Sequence, residues 1–283
     1  MSGPWVEFAE SAGIRQGDVV RKFDSNLGES VQYGIVITAD CDIAQRKTND
    51  RMTIVRAVTV QEFVSKYWST WELEKTAEKQ SRFVAPFLNA AIQKFDESVS
   101  PLTPTRLAEW LGESNPEEIF ESLQLSKSGH AKEFRALSAL DAWIKFADDL
   151  EDSDGFRALS NAYRALGRPH LDVQERVREA LITSGGFQDY LVIPNCPDQN
   201  RDGLVVLMRE VLTAPARDFF RNMYQARLTD QSDGFARIGR LTDRVRFAVA
   251  QRLAFVFSRI GMEESYEENC RTLADLVSLE MSQ

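Results

Sequence analysis

The feature that most constrains this chain is a hydrophobic period that changes twice. Up to about Val58 the apolar residues come in short β-branched runs, from about Thr59 to Ile182 they recur every three or four residues, and from Tyr190 the short runs return. A period of two builds strands and a period near 3.6 builds amphipathic helices, so the pattern calls for β structure, then helices, then β structure, then helices again.

In the first β-type part, the turn Gln16-Gly17-Asp18 precedes Val19-Val20 and a polar stretch, Asp24 to Glu29, precedes Tyr33-Gly34-Ile35-Val36-Ile37. A loop from Ala39 to Arg51 then leads to Met52-Thr53-Ile54-Val55-Arg56-Ala57-Val58. Each run has strand length and is bounded by Gly, Asn, Asp or Ser, the residues that supply turn geometry. The middle carries Phe63, Tyr67, Phe83, Phe87, Ala91 and Phe95 at helical spacing,. Pro101 and Pro104 interrupt it, Thr105 opens a short helix over 106–111 that Gly112 closes, and Ser114-Asn115-Pro116-Glu117-Glu118 starts another,. Further helices are expected over Ala131–Leu150, Phe156–Leu166 and Val173–Ile182. After Gly185-Gly186, Tyr190–Ile193 and Leu204–Met208 read as a hairpin with a long polar loop, and Phe235–Ile238 as an edge strand,. Thr242 is a good N-cap for a helix running to Ile260, and a last helix begins near Glu264.

The expected fold is therefore α+β. A small β-barrel or sheet is made from the N- and C-terminal segments, with a long all-helical insertion between them and helices at the C-terminal end. The boundaries that follow are 1–60 for the first β-rich part, 61–185 for the helical insertion, and 186–283 for the hairpin and last helices. At 283 residues, with 43% apolar and 27% charged side chains, the chain can bury a core, and neither disorder nor a bilayer-spanning helix is indicated,. The N-terminus lacks a basic region followed by an apolar one, and Cys41, Cys196 and Cys270 stand far apart. Reduced thiols, a cytoplasmic location and no membrane contact are expected.

Counting excludes several chemistries. There are two histidines, His130 and His170, without metal-ligand spacing, and the sequence contains no GxGxxG, GxxxxGK[ST] or GxSxG,. No metal or cofactor is called for, and the balance leans away from an enzyme. The acid run Asp148 to Gly155 does not match calcium-loop positions and reads as a solvated interhelical connection.

Two constellations remain. In the first, a strand end releases Thr38, Asp40, Cys41 and Asp42 into one loop, the kind of place where sites are built. The structural alternative makes Cys41 a small buried hydrophobe and the two Asp turn formers. The second is the stretch from Asn200 to Ile260, which carries eleven Arg and no Lys against six acids, inside a chain of net charge −9. Here Arg237 and Arg240 precede a helix on which Arg244, Arg252 and Arg259 share one face, over a stripe of Val245, Val249, Leu253, Val256 and Ile260,. That face suits phosphates or an acidic partner, unless the arginines pair with the protein's own carboxylates.

Taken together, Gly17-Asp18-Val19-Val20, Gly34-Ile35-Val36-Ile37-Thr38, the loop holding Asp40, and Thr53 to Thr59 resemble the PemK/MazF-type toxin barrel family. That family opens with a Gly-Asp-Ile-Val strand, follows with a valine-rich strand ending in Ser or Thr, and ends a third strand in Thr. The similarity covers the first part of the chain, and Arg237-Ile238-Gly239-Arg240-Leu241-Thr242 is similar to the segment before the family's last helix. The resemblance implies a barrel, makes Thr38 the strand-end hydroxyl, and implies a bacterial conflict or phage-defence setting like that of toxin–antitoxin systems. The family's ribonucleases rely on an arginine just before the valine-rich strand, where this chain has Glu29-Ser30-Val31-Gln32-Tyr33. The resemblance therefore implies a non-catalytic barrel used for binding; with the missing catalytic motifs and the two binding-type constellations, the expectation is a binding or regulatory component with a protein partner, compatible with a homo-oligomer. The alternative is a nuclease-like enzyme on RNA or DNA, with Arg237, Arg240 and Arg244 on phosphates and the Thr38–Asp42 loop supplying the chemistry.

Overall fold

The computed structural model describes residues 3–24, 32–47, 49–95, 99–147, 154–168, 170–182, 189–198, 203–229, 233–258, 268 and 271–273. In chain order the first elements are β1 (Asp18–Asp24), β2 (Tyr33–Val36), α1 (Asp40–Ala44), β3 (Arg51–Thr59), α2 (Val60–Glu62), a π-helical stretch (Phe63–Trp68) and α3 (Ser69–Gln93). They are followed by α4 (Pro104–Glu113), α5 (Pro116–Ser122), α6 (Ala131–Ala147), α7 (Gly155–Ala165) and α8 (His170–Ile182). The chain continues with β4 (Tyr190–Ile193), β5 (Leu204–Pro215), a 3-10 turn (Ala216–Asp218), β6 (Phe219–Phe220), α9 (Met223–Leu228), β7 (Asp233–Arg240) and α10 (Asp243–Ser258). The fold is mixed α+β. It divides into one unit of Met1–Ala57, Phe187–Arg201 and Val206–Gln283, and another of Val58–Gly186 with Asp202–Val205.

One sheet of seven strands, in the order β4-β5-β3-β2-β1-β7-β6, organises the β structure. β2 is buried along its whole length, and β1 contributes Val19 and Val20 at 0% exposure. Apolar side chains on both faces of a strand are what a central position demands. On one face Val20, Val36, Met52, Ile54 and Phe219 form a core cluster. Gly34 lies under Ile54, where a Cβ would come within 2.9 Å of the Ile54 side chain.

The sheet is open, with β4 and β6 as its two ends. The barrel form of the expectation does not hold. β6 is only two residues long and runs parallel to β7, with Phe219 opposite Phe235 and Phe220 opposite Ala236. α9 lies over this end, packing Ala226 against Phe220 and Ala236, and a short strand backed by a helix is a common way of protecting an edge. The stretch Phe235–Ile238, expected at an edge, is interior instead: β7 pairs antiparallel with β1 on one side and parallel with β6 on the other. Gly234 permits this, since a Cβ there would come within 2.8 Å of the Asp218 carbonyl oxygen.

In α10, Val249 and Val256 are buried seven residues apart, with Val245 and Leu253 half-buried beside them. The Thr242 carbonyl accepts the first helical bond, from the Arg246 N–H at 2.9 Å. The expected extensions of α6 to Leu150 and of α10 to Ile260, and most of the expected final helix, lie outside the described residues.

The helical unit packs α3, α4, α5 and α6 around Val84, Leu88, Leu107, Leu111, Ile119, Phe120, Leu137 and Leu140. Its helix starts are specified locally. Thr103, two residues before the expected Thr105, accepts the Arg106 N–H and puts Pro104 in the first turn of α4. Asn115 and Glu118 form a reciprocal capping box on α5, again with proline at the start,. The Asp154 side chain caps α7, accepting from the Phe156 N–H at 2.9 Å. Gly155 then lets α7 approach the π-helical stretch, since a Cβ would meet the Ser65 carbonyl at 2.5 Å.

Candidate functional site

The sequence brings Gly17 to a left-handed turn at φ +86°, which few residues other than glycine adopt without strain,. Its N–H donates to the Val36 carbonyl at 2.8 Å and its carbonyl accepts from the Leu241 N–H at 2.9 Å. This pins the start of β1 between β2 and the end of β7, and it places Asp18 opposite Arg240 in the ladder.

Asp18 is fully buried. Its carboxylate accepts from Arg240 Nε at 2.5 Å, Arg240 Nη2 at 3.0 Å, Arg237 Nη1 at 3.4 Å and the Arg15 backbone N–H at 2.8 Å. Residues three apart on a regular strand point to opposite faces, yet Arg237 and Arg240 both reach this one carboxylate. The ladder explains it: Val19 pairs with Gly239 but Val20 pairs with Arg237, so Ile238 is an extra residue and β7 bulges there,. Three further arginine contacts close on the N-terminal segment, while the buried Arg237 Nε has no hydrogen-bond partner among the described residues. The Gly13 carbonyl accepts from Arg237 Nη1 at 3.1 Å and Arg240 Nη2 at 3.0 Å, and the Glu10 carbonyl accepts from Arg237 Nη2 at 3.2 Å. The Phe8 ring lies 4.2 Å from the Arg237 guanidinium and 5.3 Å from that of Arg240, a cation–π arrangement. Burial pulls the Arg237 pKa down, with Asp18 partly offsetting it, whereas the hydrogen bond to Asp18 raises that of Arg240.

A second carboxylate adjoins this cluster. Asp40, the first residue of α1, accepts from the Gln16 N–H at 2.8 Å, Arg246 Nη1 at 3.0 Å and Arg15 Nη2 at 3.1 Å. Partial burial works against its ionisation, but the Gln16 N–H and the two guanidinium groups outweigh it and hold the carboxyl below its usual range,. Arg246 also lies 3.1 Å from Asp243.

Asp40, Arg237 and Arg240 are thus brought into one network, together with Asp18, Arg15 and Arg246, which sequence reasoning did not single out. The other expected site residues lie apart from it. The Thr38 hydroxyl accepts from the Thr53 N–H at 2.7 Å and ties the end of β2 to β3. Cys41 is exposed, against the buried position its structural reading expects, with its Sγ 3.6 Å from an Asp42 carboxylate oxygen. The Asp42 N–H donates to the Ala39 carbonyl at 3.0 Å, inside the first turn of α1. Arg244 is exposed. Arg252 instead donates to the Tyr190 carbonyl at 2.7 Å, directed toward β4. Arg259 lies outside the described residues.

Chemically, the cluster is a clamp. One buried and one partly buried guanidinium group join an internal carboxylate to backbone carbonyls of the N-terminal segment, which also adds an isolated bridge from Trp5 to Leu241. Among the described residues, no group of three or more His, Cys, Asp or Glu is placed to hold a metal ion, and no helix is long and apolar enough to cross a membrane. No protein-family model, curated protein or solved structure matches this chain.

Proposed function

We propose that this chain is a non-catalytic binding or regulatory component that works by holding a protein partner in a bacterial multi-protein system of the conflict or phage-defence type. One observation carries the reading: Arg237 and Arg240, two of the three arginines that the nuclease alternative puts on phosphates, direct donors at Asp18 and at the Gly13 and Glu10 carbonyls. A phosphate would have to displace a buried, charge-assisted network, and breaking such a pair costs about 3–5 kcal/mol. The strand-end Thr38, which a nuclease would direct at substrate, holds the Thr53 N–H instead. The biological setting comes from the resemblance to PemK/MazF-type toxins and from nothing else.

Two measurements test the proposal together. The full chain is recovered from its own cells under native conditions, and the purified protein is incubated with single- and double-stranded RNA and DNA. A stoichiometric partner protein with no cleavage is the expected result. Cleavage that Asp40→Ala abolishes in a folded protein would replace this reading with the nuclease one.

A further inference from the structure

We propose that the outward face of α9, with the turn before it, is a docking surface for an acidic amphipathic segment of a partner protein. The inference rests on the reading of the chain as a protein-binding component and names where, and by what chemistry, the partner is held.

α9 is fixed from beneath and from its start. Ala226 is buried against Phe220 and Ala236, with Met223 and Phe23 around them. The Asn222 side chain accepts from the Gln225 N–H at 2.8 Å, and the Gln225 side chain accepts from the Arg221 N–H at 2.9 Å. On this anchored turn Tyr224 is 74% exposed and Leu228 86% exposed. Side chains four apart on a helix are neighbours, so the two form one apolar step rather than scattered exposures.

Next to that step stand Arg227, three residues after Tyr224 on α9, and Arg221, in the turn before it, both exposed,. In the 3-10 turn before β6, Arg217 is 81% exposed and, among the described residues, approaches only the adjacent Asp218, at 3.7 Å. Arg221 and Arg227 are exposed, and their side chains have no hydrogen-bond or ion-pair partner among the described residues. They thus differ from Arg237, Arg240 and Arg246, whose guanidinium groups donate to Asp18 or Asp40. In a chain of net charge −9, Arg221 and Arg227 thus put positive charge beside an aromatic and an aliphatic side chain,. Arg and Tyr dominate the energetic centres of protein interfaces, and guanidinium groups hold carboxylates bidentately. A helix or strand with two apolar anchors flanked by Glu or Asp satisfies both features. A nucleic acid fits less well, because binding a strand takes a cationic track with successive stacking rings, whereas Leu228 offers no stacking face and the acidic chain repels a polyanion.

The test uses the full chain and a labelled synthetic helical peptide of Glu and Leu, with Leu placed one turn apart, its Lys–Leu twin, and a single-stranded oligonucleotide. Tyr224→Ala with Leu228→Ala, and separately Arg221→Glu with Arg227→Glu, are each expected to weaken the Glu–Leu peptide by about tenfold or more. Melting curves should not move, since none of the four side chains is in a core, and Arg227→Gln serves should a double variant fail to fold. The Lys–Leu twin is expected not to bind. Equal binding by the variants or by the twin overturns the proposal. So does tighter binding of the oligonucleotide that the same variants abolish, or loss in the variants of self-association by the unmodified protein, which would make the occupant a second copy. A native partner recovered equally by wild type and both variants would keep the binding-component reading and remove this face from it.

Discussion

Two groups of arginine lie close together in the sequence and meet opposite fates. Arg237 and Arg240 end in the interior on Asp18, their side chains 0% and 13% exposed, while Arg217, Arg221 and Arg227 stand in solvent. The residue type is the same, so composition cannot tell them apart. What separates them is the backbone beneath: β7 is an interior strand with a bulge that turns two arginines onto one carboxylate, and α9 is a surface turn held by a small buried alanine. An arginine-rich stretch is therefore two things at once here, a clamp and a display.

The largest expected effect lies in the clamp. Asp18→Ala leaves Arg237 buried without its carboxylate and should cost about 3–5 kcal/mol in urea unfolding. If the loss is under about 1 kcal/mol, the range of a surface ion pair, the clamp does not hold the N-terminal segment as described. Replacing Asp18, Arg237 and Arg240 together by apolar residues of similar volume should recover much of the loss, because the penalty comes mainly from stranding one charge. In the helical unit, Asn115→Ala removes a helix cap and should cost about 1 kcal/mol, measured the same way,. That smaller figure would show that the sheet unit depends on its polar cluster more than the helical unit does on any one cap.

The same contrast explains how much of the molecule was legible in the sequence. The helical middle could be read nearly element by element, because its starts are written locally: Thr103-Pro104, Asn115-Pro116 and Asp154 each cap within a few residues. The α+β class could be read from the change of period. The open sheet could not, because whether β6 closes on β4 or ends beside β7 depends on pairing between segments far apart in sequence. The site was half legible. Arg237, Arg240 and Asp40 stand out as charges, but Asp18 reads as a turn residue, and its role depends on a bulge that no local pattern announces. α9 leaves no sequence signal, because six helical residues between two strands carry too little period to register,.

Asp40 offers a pH test of intermediate size. Its carboxyl is held below the usual range, so its contribution is fully present above the unfolded-state pKa near 3.9 and is lost as pH falls through the lower folded value,. Wild type should exceed Asp40→Asn by about 1 kcal/mol or less at neutral pH, since the side chain is 31% exposed,. The gap should stay flat down to about pH 5 and close below that. A gap that widens on acidification would mean that Arg15 and Arg246 do not hold the ionised form.

The smallest effect carries the opposite sign. Arg221 lies close enough to Arg237 for their like charges to oppose each other, and it is one of the influences that lower the Arg237 pKa. Removing a cation beside a buried guanidinium relieves repulsion, while removing the anion Asp18 creates a stranded charge. Arg221→Ala should therefore leave stability unchanged or raise it by at most a few tenths of a kcal/mol, an effect that high salt should erase. A clear loss of stability would mean that Arg221 belongs to the clamp after all, and the division between a structural and a displayed arginine group would have to be redrawn.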